Sequence, residues 1–202
     1  MRKLIYSVRG RLAAVEPNLA VVECAGVGYA VRTSSVTVSR LPAIGEEAML
    51  YTYLHISENA AELFGFRDQN ELSCFKMLIS VTRVGPKAAL SVLSSVTPER
   101  FALCVASGDA KTISKAPGIG LKTAQRIILE LKDKMSKEAA ASGFSDAALP
   151  VVEDSSNAGE AIAALVVLGY AQSEAAAVIT RLDPAMSVED MIKAGLRALA
   201  MQ

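Results

Sequence analysis

The stretch KAPGIGLKT, which covers residues 115–123, is the most informative part of this sequence. Two glycines flank one apolar residue, a lysine follows two positions after the second glycine, and an amphipathic run begins at residue 124. Glycine permits a tight turn and lets another molecule approach the backbone closely. A helix that starts here points its unbonded amides and the positive end of its dipole at the turn. The pattern predicts a phosphate-binding hairpin with five site residues, namely Gly118, Ile119, Gly120, Lys122 and Thr123.

A second copy of this pattern lies 35 residues upstream, in the stretch VGPK of residues 84–87. An apolar residue, a tight turn and a lysine at the start of the second helix make up the helix-hairpin-helix pattern. Two tandem copies can bind two points of one nucleic-acid backbone. A single copy could equally be a packing corner between two helices, but two copies in register argue against that alternative. The first copy adds the site residues Arg83, Val84, Gly85 and Lys87.

A nucleotide-binding loop is a rival interpretation of residues 120–123, because Gly-Leu-Lys-Thr resembles the end of a P-loop. That loop requires a glycine directly before the lysine and an apolar strand before its first glycine. Leu121 occupies the glycine position, and residues 115–117 do not form a strand pattern. We therefore reject a nucleotide site here.

The composition of the 202 residues, which are 51% hydrophobic, is typical of a globular protein with one to three domains. No apolar run reaches the roughly 18 residues of a membrane span, and the first residues lack the apolar core of a secretory signal. The isolated Cys24, Cys74 and Cys104 have no metal-ligand spacing and suggest a reducing cytosol. His55 is the only histidine and has no catalytic neighbours in sequence. We expect no catalytic residue, metal or cofactor.

The net charge is zero, but the charges are unevenly distributed along the chain. Residues 1–64 carry six basic and six acidic side chains, whereas residues 65–137 carry twelve basic and six acidic ones. Residues 138–202 carry three basic and nine acidic side chains. The basic excess coincides with the two hairpins, which favours nucleic acid as their partner, while the acidic region is unsuited to DNA contact.

The order of the patterns predicts an α+β multidomain protein. Residues 1–66 contain five short strand patterns, which suit a small OB-fold barrel, with an SH3-like barrel as the alternative. Residues 67–137 read as the tandem helix-hairpin-helix domain, and the periodicity predicts that its last helix ends near Met135. Residues 138–157 read as a flexible linker. Residues 158–202 read as three helices around a marginal core, with some apolar side chains left for a partner.

Several residues have the types and positions of helix caps. Asp68 or Asn70 is expected before the first helix of the central region, and Asp109 before a short helix that leads to Pro117. Pro86 and Pro98 suit the first turns of two further helices. In the C-terminal region Ser173 is expected to cap the second helix, and Ser187 with Asp190 to form a capping box before the third.

These features together resemble the RuvA family, whose members recognise Holliday junctions. The resemblance spans the whole chain and rests on the order of the parts. It also rests on motifs in the barrel (Gly26-Val27-Gly28-Tyr29 and Leu63-Phe64-Gly65-Phe66), in the hairpins (Val84-Gly85-Pro86-Lys87 and Pro117-Gly118-Ile119-Gly120) and in the C-terminal region (Leu168-Gly169-Tyr170).

The resemblance implies a bacterial, cytoplasmic protein of recombination and repair that associates with the nucleoid when bound to DNA. It implies a homotetramer, or two tetramers face to face, that holds four-way DNA junctions open and planar without sequence specificity. A UBA-like C-terminal unit would recruit the hexameric AAA+ ATPase RuvB, which drives branch migration, and the resolvase RuvC could join. The chain itself would be a non-catalytic subunit. In the C-terminal unit, we expect Leu165, Leu168 and Tyr170 to contact the partner. The alternative functions are a general duplex-binding repair adaptor and a protein–protein adaptor.

The chain departs from the family pattern at three positions. Arg83 stands where the first hairpin usually has a glycine, so we expect the hairpin to relax there and the guanidinium to replace a backbone contact. Leu121 stands where a second lysine often follows the second hairpin. The acidic pin of the barrel, which usually has two adjacent acids, here consists of Glu58 and the neutral Asn59.

Overall fold

The computed structural model describes residues 4–58, 60–141 and 157–200, without the side chains of residues 135–141, 173 and 200. These residues group into two compact units. Of the described residues, the first comprises those of 4–79 and 85–97, and the second those of 80–84 and 98–200. Asn59 and most of the expected linker, residues 142–156, lie outside the described residues.

A closed five-stranded barrel forms the body of the first unit, with the strand order β1-β2-β3-β5-β4. Its strands are β1 (Ser7–Glu16), β2 (Leu19–Cys24), β3 (Val27–Arg32), β4 (Glu47–Ile56) and β5 (Ala61–Phe66). The β3–β5 pair is parallel, and the other pairs are antiparallel. This topology is that of an OB-fold, which confirms the predicted barrel and removes the SH3-like alternative.

Alternating side chains of the strands fill the barrel, with Leu12, Val22, Val31 and Leu50 fully buried. Three helices complete this unit: α1 (Ser35–Val38), α2 (Gln69–Ile79) and α3 (Pro86–Ser95). Phe75 of α2 packs against the aromatic rings of Tyr53, Phe64 and Phe66. These ring contacts attach α2 to the barrel, so α2 belongs to the same compact unit.

The short helix α1 has no clear sequence signal and was not predicted. The side chain of its cap Ser34 accepts a hydrogen bond from the amide of Thr37. Ser34 Oγ also donates to the buried carboxylate of Glu71 at 2.6 Å, and the Thr37 hydroxyl donates to the same carboxylate. Several donors thus satisfy an acid that would otherwise be costly to bury, and they join α1 to α2.

Six helices make up the described part of the second unit. They are α4 (Pro98–Ser107), α5 (Ala110–Ile113), α6 (Leu121–Ala141), α7 (Asn157–Val167), α8 (Gln172–Ile179) and α9 (Val188–Ala200). The expected proline starts of α3 and α4 and the Asp109 cap of α5 are confirmed. Asp68 accepts from the amide of Glu71 at 2.9 Å, so it is the cap of α2. Helix α6 continues past the predicted end at Met135.

The C-terminal helices α7, α8 and α9 pack against one another. Helix α7 ends in a glycine turn, in which Gly169 has φ +96° and the amides of Gly169 and Tyr170 donate to Val166 and Leu165. Because the chain turns back at once, α8 begins at Gln172, with Ala171 as its N-cap. The prediction of a Ser173 cap is therefore wrong, since Ser173 lies inside the helix. The Glu174 carboxylate instead accepts from the Ala171 amide at 3.3 Å.

The predicted cap of α9 is confirmed in part. Ser187 Oγ accepts a hydrogen bond from the Asp190 amide at 3.2 Å, as an N-cap side chain should. The Asp190 carboxylate accepts from the Ser187 hydroxyl at 2.7 Å. The shorter aspartate thus forms its bond with a side chain, where a capping-box glutamate would reach the backbone amide.

In the described ranges, no single helix is long and apolar enough to cross a membrane. Helices α3 and α4 reach the length and apolar composition of a membrane span only when they are counted together.

Candidate nucleic-acid interface

The two hairpins have the same hydrogen-bond pattern at an offset of 35 residues. In the first, the Val84 amide donates to the Val81 carbonyl at 3.1 Å, and in the second the Ile119 amide donates to the Ala116 carbonyl at 3.0 Å. The first backbone bonds of the following helices correspond in the same way, from Ala89 to Gly85 and from Ala124 to Gly120, each at 3.0 Å. The repeat seen in the sequence is therefore also a repeat of backbone geometry.

Apolar side chains of the repeat fill equivalent buried positions. Val84 and Ile119 are each 4% exposed, so they anchor their hairpins from inside. The Ile119 amide already donates within its turn, which makes it unavailable to a ligand in this conformation. The Val84 amide is engaged in the same way, because it donates to the Val81 carbonyl.

The turn position before each buried anchor has a left-handed backbone. Gly118 has φ +79°, and its counterpart Arg83 has φ +67°. Arginine in this conformation is strained by about 1–2 kcal/mol, because its Cβ crowds the following carbonyl oxygen. The expectation that the first hairpin relaxes around Arg83 is wrong, since the hairpin keeps the glycine-like geometry with an exposed arginine in it.

Gly85 and Gly120 require a different explanation from Gly118. Neither has a positive φ, so neither backbone conformation demands glycine. A Cβ built on either residue would meet no protein atom within 4 Å, so internal packing does not demand glycine either. What a side chain would block is the space outside the hairpin, and this favours close approach by another molecule.

The helix starts that follow these glycines combine unbonded amides with exposed lysines. Because the first intrahelical bond of α6 comes from Ala124, the amides of residues 121–123 have no acceptor inside the helix. The first such bond of α3 comes from Ala89, but Pro86 has no amide hydrogen, so residues 87 and 88 offer two. Lys87 and Lys122 are both exposed beside these amides. Amides, a helix dipole and a lysine together suit a phosphate group.

Side chains of α6 hold the residues just before Arg83, a feature that the sequence analysis missed. The amide and the hydroxyl of Thr82 both donate to the same carboxylate oxygen of Glu130, at 2.9 Å and 3.2 Å. Lys134 Nζ donates to the Ser80 carbonyl and, at 2.8 Å, to its hydroxyl. The amide hydrogen bond from Thr82 is the main reason that the pKa of Glu130 is lowered, so this carboxylate is ionised at neutral pH.

Comparisons with known families agree with this geometry along nearly the whole chain. Residues 5–65 match the RuvA N terminal domain, residues 75–133 match the SAM-like helix-hairpin-helix tandem, and residues 156–200 match the RuvA C-terminal domain. A protein of Acetivibrio thermocellus named Holliday junction branch migration complex subunit RuvA is 48% identical over 96% of this chain and 97% of its own length.

This chain belongs to the RuvA family. Two further relatives with the same name come from Symbiobacterium thermophilum, at 43% identity over 97% of this chain and 98% of the relative, and from Caldanaerobacter subterraneus, at 41% over 98% and 100%. Matches of this length leave no large part of the chain unaccounted for. The RuvA-like order of barrel, tandem hairpins and C-terminal helices is thereby confirmed.

The acidic pin expected from the RuvA resemblance falls in the turn between β4 and β5. Ser57 donates its amide to the Ala60 carbonyl at 2.8 Å, which closes this turn, and Glu58 is exposed within it. Asn59 lies outside the described residues. The position of Glu58 is compatible with a charge that projects from the barrel, and its role stays a prediction.

The expected partner-binding residues of the RuvA-like C-terminal unit differ in exposure. Leu165 is fully buried and Leu168 is 5% exposed, whereas Tyr170 is half-buried. A Cβ on Gly195 of α9 would lie 2.9 Å from Leu165 Cδ1, which shows how closely α9 packs on this leucine. The two leucines therefore support the unit from inside, and direct partner contact by them is not compatible with this conformation.

The described residues contain no cluster of three or more histidine, cysteine and acidic side chains that could hold a metal ion. His55 lies on β4 with its ring 6.4 Å from that of Phe64. Burial raises the pKa of the Cys104 thiol, so this cysteine is a weak nucleophile at neutral pH. Within the described part of this RuvA family member, the groups suited to a ligand are those of the two hairpins.

Proposed function

We propose that this protein binds four-way DNA junctions through the phosphates of their arms, as a non-catalytic subunit of a branch-migration complex. The observation that carries the proposal is the repeated hairpin, in which Gly85 and Gly120 are open outward without a conformational or packing reason. An exposed lysine, Lys87 or Lys122, follows each of these glycines. The names of the relatives, which describe subunits of a Holliday junction branch migration complex, support the same function.

The proposed interface reads no DNA sequence. Backbone amides and lysine ammonium groups bind phosphate oxygens, which are the same at every base pair. A junction that migrates must pass through arbitrary sequences, so a binding surface without base contacts suits a migrating branch point. Arg83 adds a second exposed cation to the first hairpin, and Thr123 adds a hydroxyl to the second.

A homotetramer is the assembly that fits a four-way junction, because each subunit can present one pair of hairpins to one arm. Glu58 would then occur four times near the crossing point of the strands, where its charge repels phosphates. A continuous duplex would have to cross this charge, whereas an open junction can place its arms around it. Two such tetramers face to face could enclose the junction.

The C-terminal unit is proposed to recruit a hexameric AAA+ ATPase of the RuvB type, and a resolvase of the RuvC type can join the complex. Residues 138–202 carry nine acidic and three basic side chains, so DNA is an unfavourable partner for them. Tyr170, at the turn after α7, remains the candidate contact of the three predicted residues. We place this function in the bacterial cytoplasm, at the nucleoid.

Gel shifts test the proposal by comparing a four-way junction with linear duplexes made of the same arms. The proposal predicts tighter binding of the junction at low salt, independent of arm sequence. Equal affinity for both DNA forms would indicate a general duplex-binding adaptor, and no shift would indicate a protein–protein adaptor. In the same assay Glu58→Gln should increase duplex affinity more than junction affinity, because the removed charge opposes a continuous duplex. An unchanged ratio of junction to duplex affinity would show that Glu58 does not act as an acidic pin.

A further inference from the structure

The two copies of the hairpin have the same left-handed backbone position, but different residues occupy it. In the second copy Gly118 occupies the left-handed position, and the residue before it is Pro117, which has no amide hydrogen to donate. In the first copy Arg83 occupies that position, and Thr82 before it donates both its amide and its hydroxyl to Glu130. Two hydrogen bonds donated to a carboxylate thus precede the left-handed residue in the copy where that residue is not glycine.

This difference has a physical reason. Glycine enters the left-handed region about as readily as the right-handed one, so Gly118 needs no external support. A non-glycine residue persists there only where its surroundings over-determine the conformation. The carboxylate of Glu130 fixes the peptide before Arg83, while Val84, directly after it, is anchored by its buried side chain. Arg83 is thus held from both sides.

A second side chain of α6 also binds the segment before Arg83. Lys134 lies one helical turn after Glu130 and donates to the carbonyl and hydroxyl of Ser80. Residues 80 and 82 are therefore both bound to the same face of α6. The carboxylate that receives Thr82 is charged, and hydrogen bonds to charged acceptors are stronger than those between neutral groups.

We propose that Glu130 is a positioning residue of the first hairpin, whose carboxylate holds Thr82 so that Arg83 keeps its left-handed conformation before DNA arrives. This inference rests on the proposed function, in which the first hairpin binds phosphate. A hairpin that is already ordered loses less conformational freedom on binding, so its affinity is higher. Glu130 itself does not need to contact DNA.

The sign of the effect distinguishes this role from simple electrostatics. An acidic side chain near a phosphate-binding surface repels DNA, so its removal should tighten binding if charge alone matters. Asp133 is an exposed acid on the same helix, three residues further on, and serves as the matched control. Asp133→Ala and Glu130→Ala change the net charge equally, but only the second removes the acceptor for Thr82.

The experiment is a double-mutant cycle on the full chain, with four-way junction binding measured by fluorescence anisotropy at fixed salt. Glu130→Ala should weaken binding by at most about tenfold, because the Thr82–Glu130 hydrogen bond exists with and without DNA and its loss affects affinity only through the order of the free hairpin. Glu130→Gln should recover part of this loss, because its amide oxygen still accepts from Thr82. In the Arg83→Gly background the same Glu130→Ala change should cost about twofold or less, since glycine needs no support.

Three results would overturn the proposal: an equal loss in both backgrounds, a gain in affinity with Glu130→Ala like that of Asp133→Ala, or global unfolding by Glu130→Ala in both backgrounds. Hydrogen exchange of residues 80–84, measured without DNA, separates failure of this positioning role from failure of the proposed function. The parent chain could bind no junction while Glu130→Ala still speeds hydrogen exchange at Thr82 relative to Asp133→Ala. In that case the proposed function is wrong, but Glu130 does order the first hairpin.

Discussion

Among single residues, five glycines that the structure describes illustrate three different physical causes. Gly10 and Gly65 are required by packing, because a Cβ would lie 2.1 Å from the Glu23 carbonyl oxygen and 2.3 Å from Val31 Cγ1, respectively. Gly118 is required by its left-handed backbone. Gly85 and Gly120 are required by neither, which agrees with the proposed approach of DNA to these positions.

This grouping predicts opposite effects for two neighbouring substitutions. Gly120→Ala should lower the free energy of unfolding by less than about 1 kcal/mol, because its Cβ meets nothing and the only cost is that alanine is a poorer N-cap than glycine. It should weaken junction binding about tenfold, the expected effect of losing a hydrogen bond to a charged phosphate. Gly118→Ala should instead lower the free energy of unfolding by about 1–2 kcal/mol. Urea unfolding and junction titration of both variants provide the test, and destabilisation by Gly120→Ala with unchanged binding would contradict it.

The sequence predicted the residues of the hairpins better than the residues that hold the hairpins in place. The 35-residue repeat identified Val84 with Ile119 and Lys87 with Lys122, because these residue types recur at fixed spacing. Glu130 was missed, since an acid on an amphipathic helix is ordinarily a solvated residue and its partner Thr82 is distant in sequence. The available signal was the arginine at a glycine position, which implies that something nearby must hold it.

At the scale of helices and strands, short polar contacts decide where several elements begin. Asp109 caps α5, the helix that leads into the second hairpin, and its carboxylate accepts from the hydroxyl and amide of Thr112 at 2.6 Å and 3.1 Å. The side-chain hydrogen bond, followed by the backbone one, lowers the pKa of Asp109. The ionised cap therefore contributes stability that exists above the unfolded-state pKa of about 3.9 and is lost as the pH falls through the lower pKa of the folded state.

Asp109→Ala should thus destabilise the protein at pH 7, and the stability difference from the parent should shrink as the pH falls below about 4. Asp109→Asn is the matched control, because asparagine is also a good N-cap but does not titrate. Its stability relative to Asp109→Ala should stay nearly constant with pH. Urea unfolding at pH 7 and at pH 3 measures both differences, and a difference between parent and Asp109→Ala that does not depend on pH would contradict this role.

Element boundaries show what local sequence can and cannot specify. The start of α3 at Pro86 was predictable because proline has a fixed φ that suits a first helical turn. The end of α6 was placed too early at Met135, since the apolar periodicity stops there although good helix formers continue to Ala141. The start of α8 was misplaced because the glycine turn after α7 is tighter than the position of Ser173 implied.

At the scale of the whole molecule, the two proposed functions, DNA binding and ATPase recruitment, belong to regions of opposite net charge. Residues 65–137 carry a net charge of +6 and include both hairpins, whereas residues 138–202 carry a net charge of −6. A chain that ends at Ala141 should therefore bind four-way junctions about as well as the full chain, because the proposed phosphate contacts all precede this residue. It should fail to stimulate branch migration by a RuvB-type ATPase, since the proposed docking helices are gone.

The assay for this prediction combines junction titration with an ATPase-driven migration assay, and circular dichroism verifies that the shortened chain is folded. The control is the full chain under the same conditions. Migration supported by the shortened chain at the rate of the full one would show that the ATPase binds elsewhere. Loss of junction binding in a folded shortened chain would show that the C-terminal helices belong to the DNA-binding surface.

If the two hairpins bind DNA phosphates, the salt dependence of four-way junction binding should reveal these contacts. The logarithm of the association constant should fall linearly with the logarithm of salt concentration, with a slope that counts the phosphate contacts. Lys87→Ala and Lys122→Ala should each weaken binding equally for all arm sequences. Each should also make the slope shallower by about 0.9 for every subunit engaged. Slopes that stay at the parent value in both variants would show that the hairpin lysines do not contact DNA phosphates.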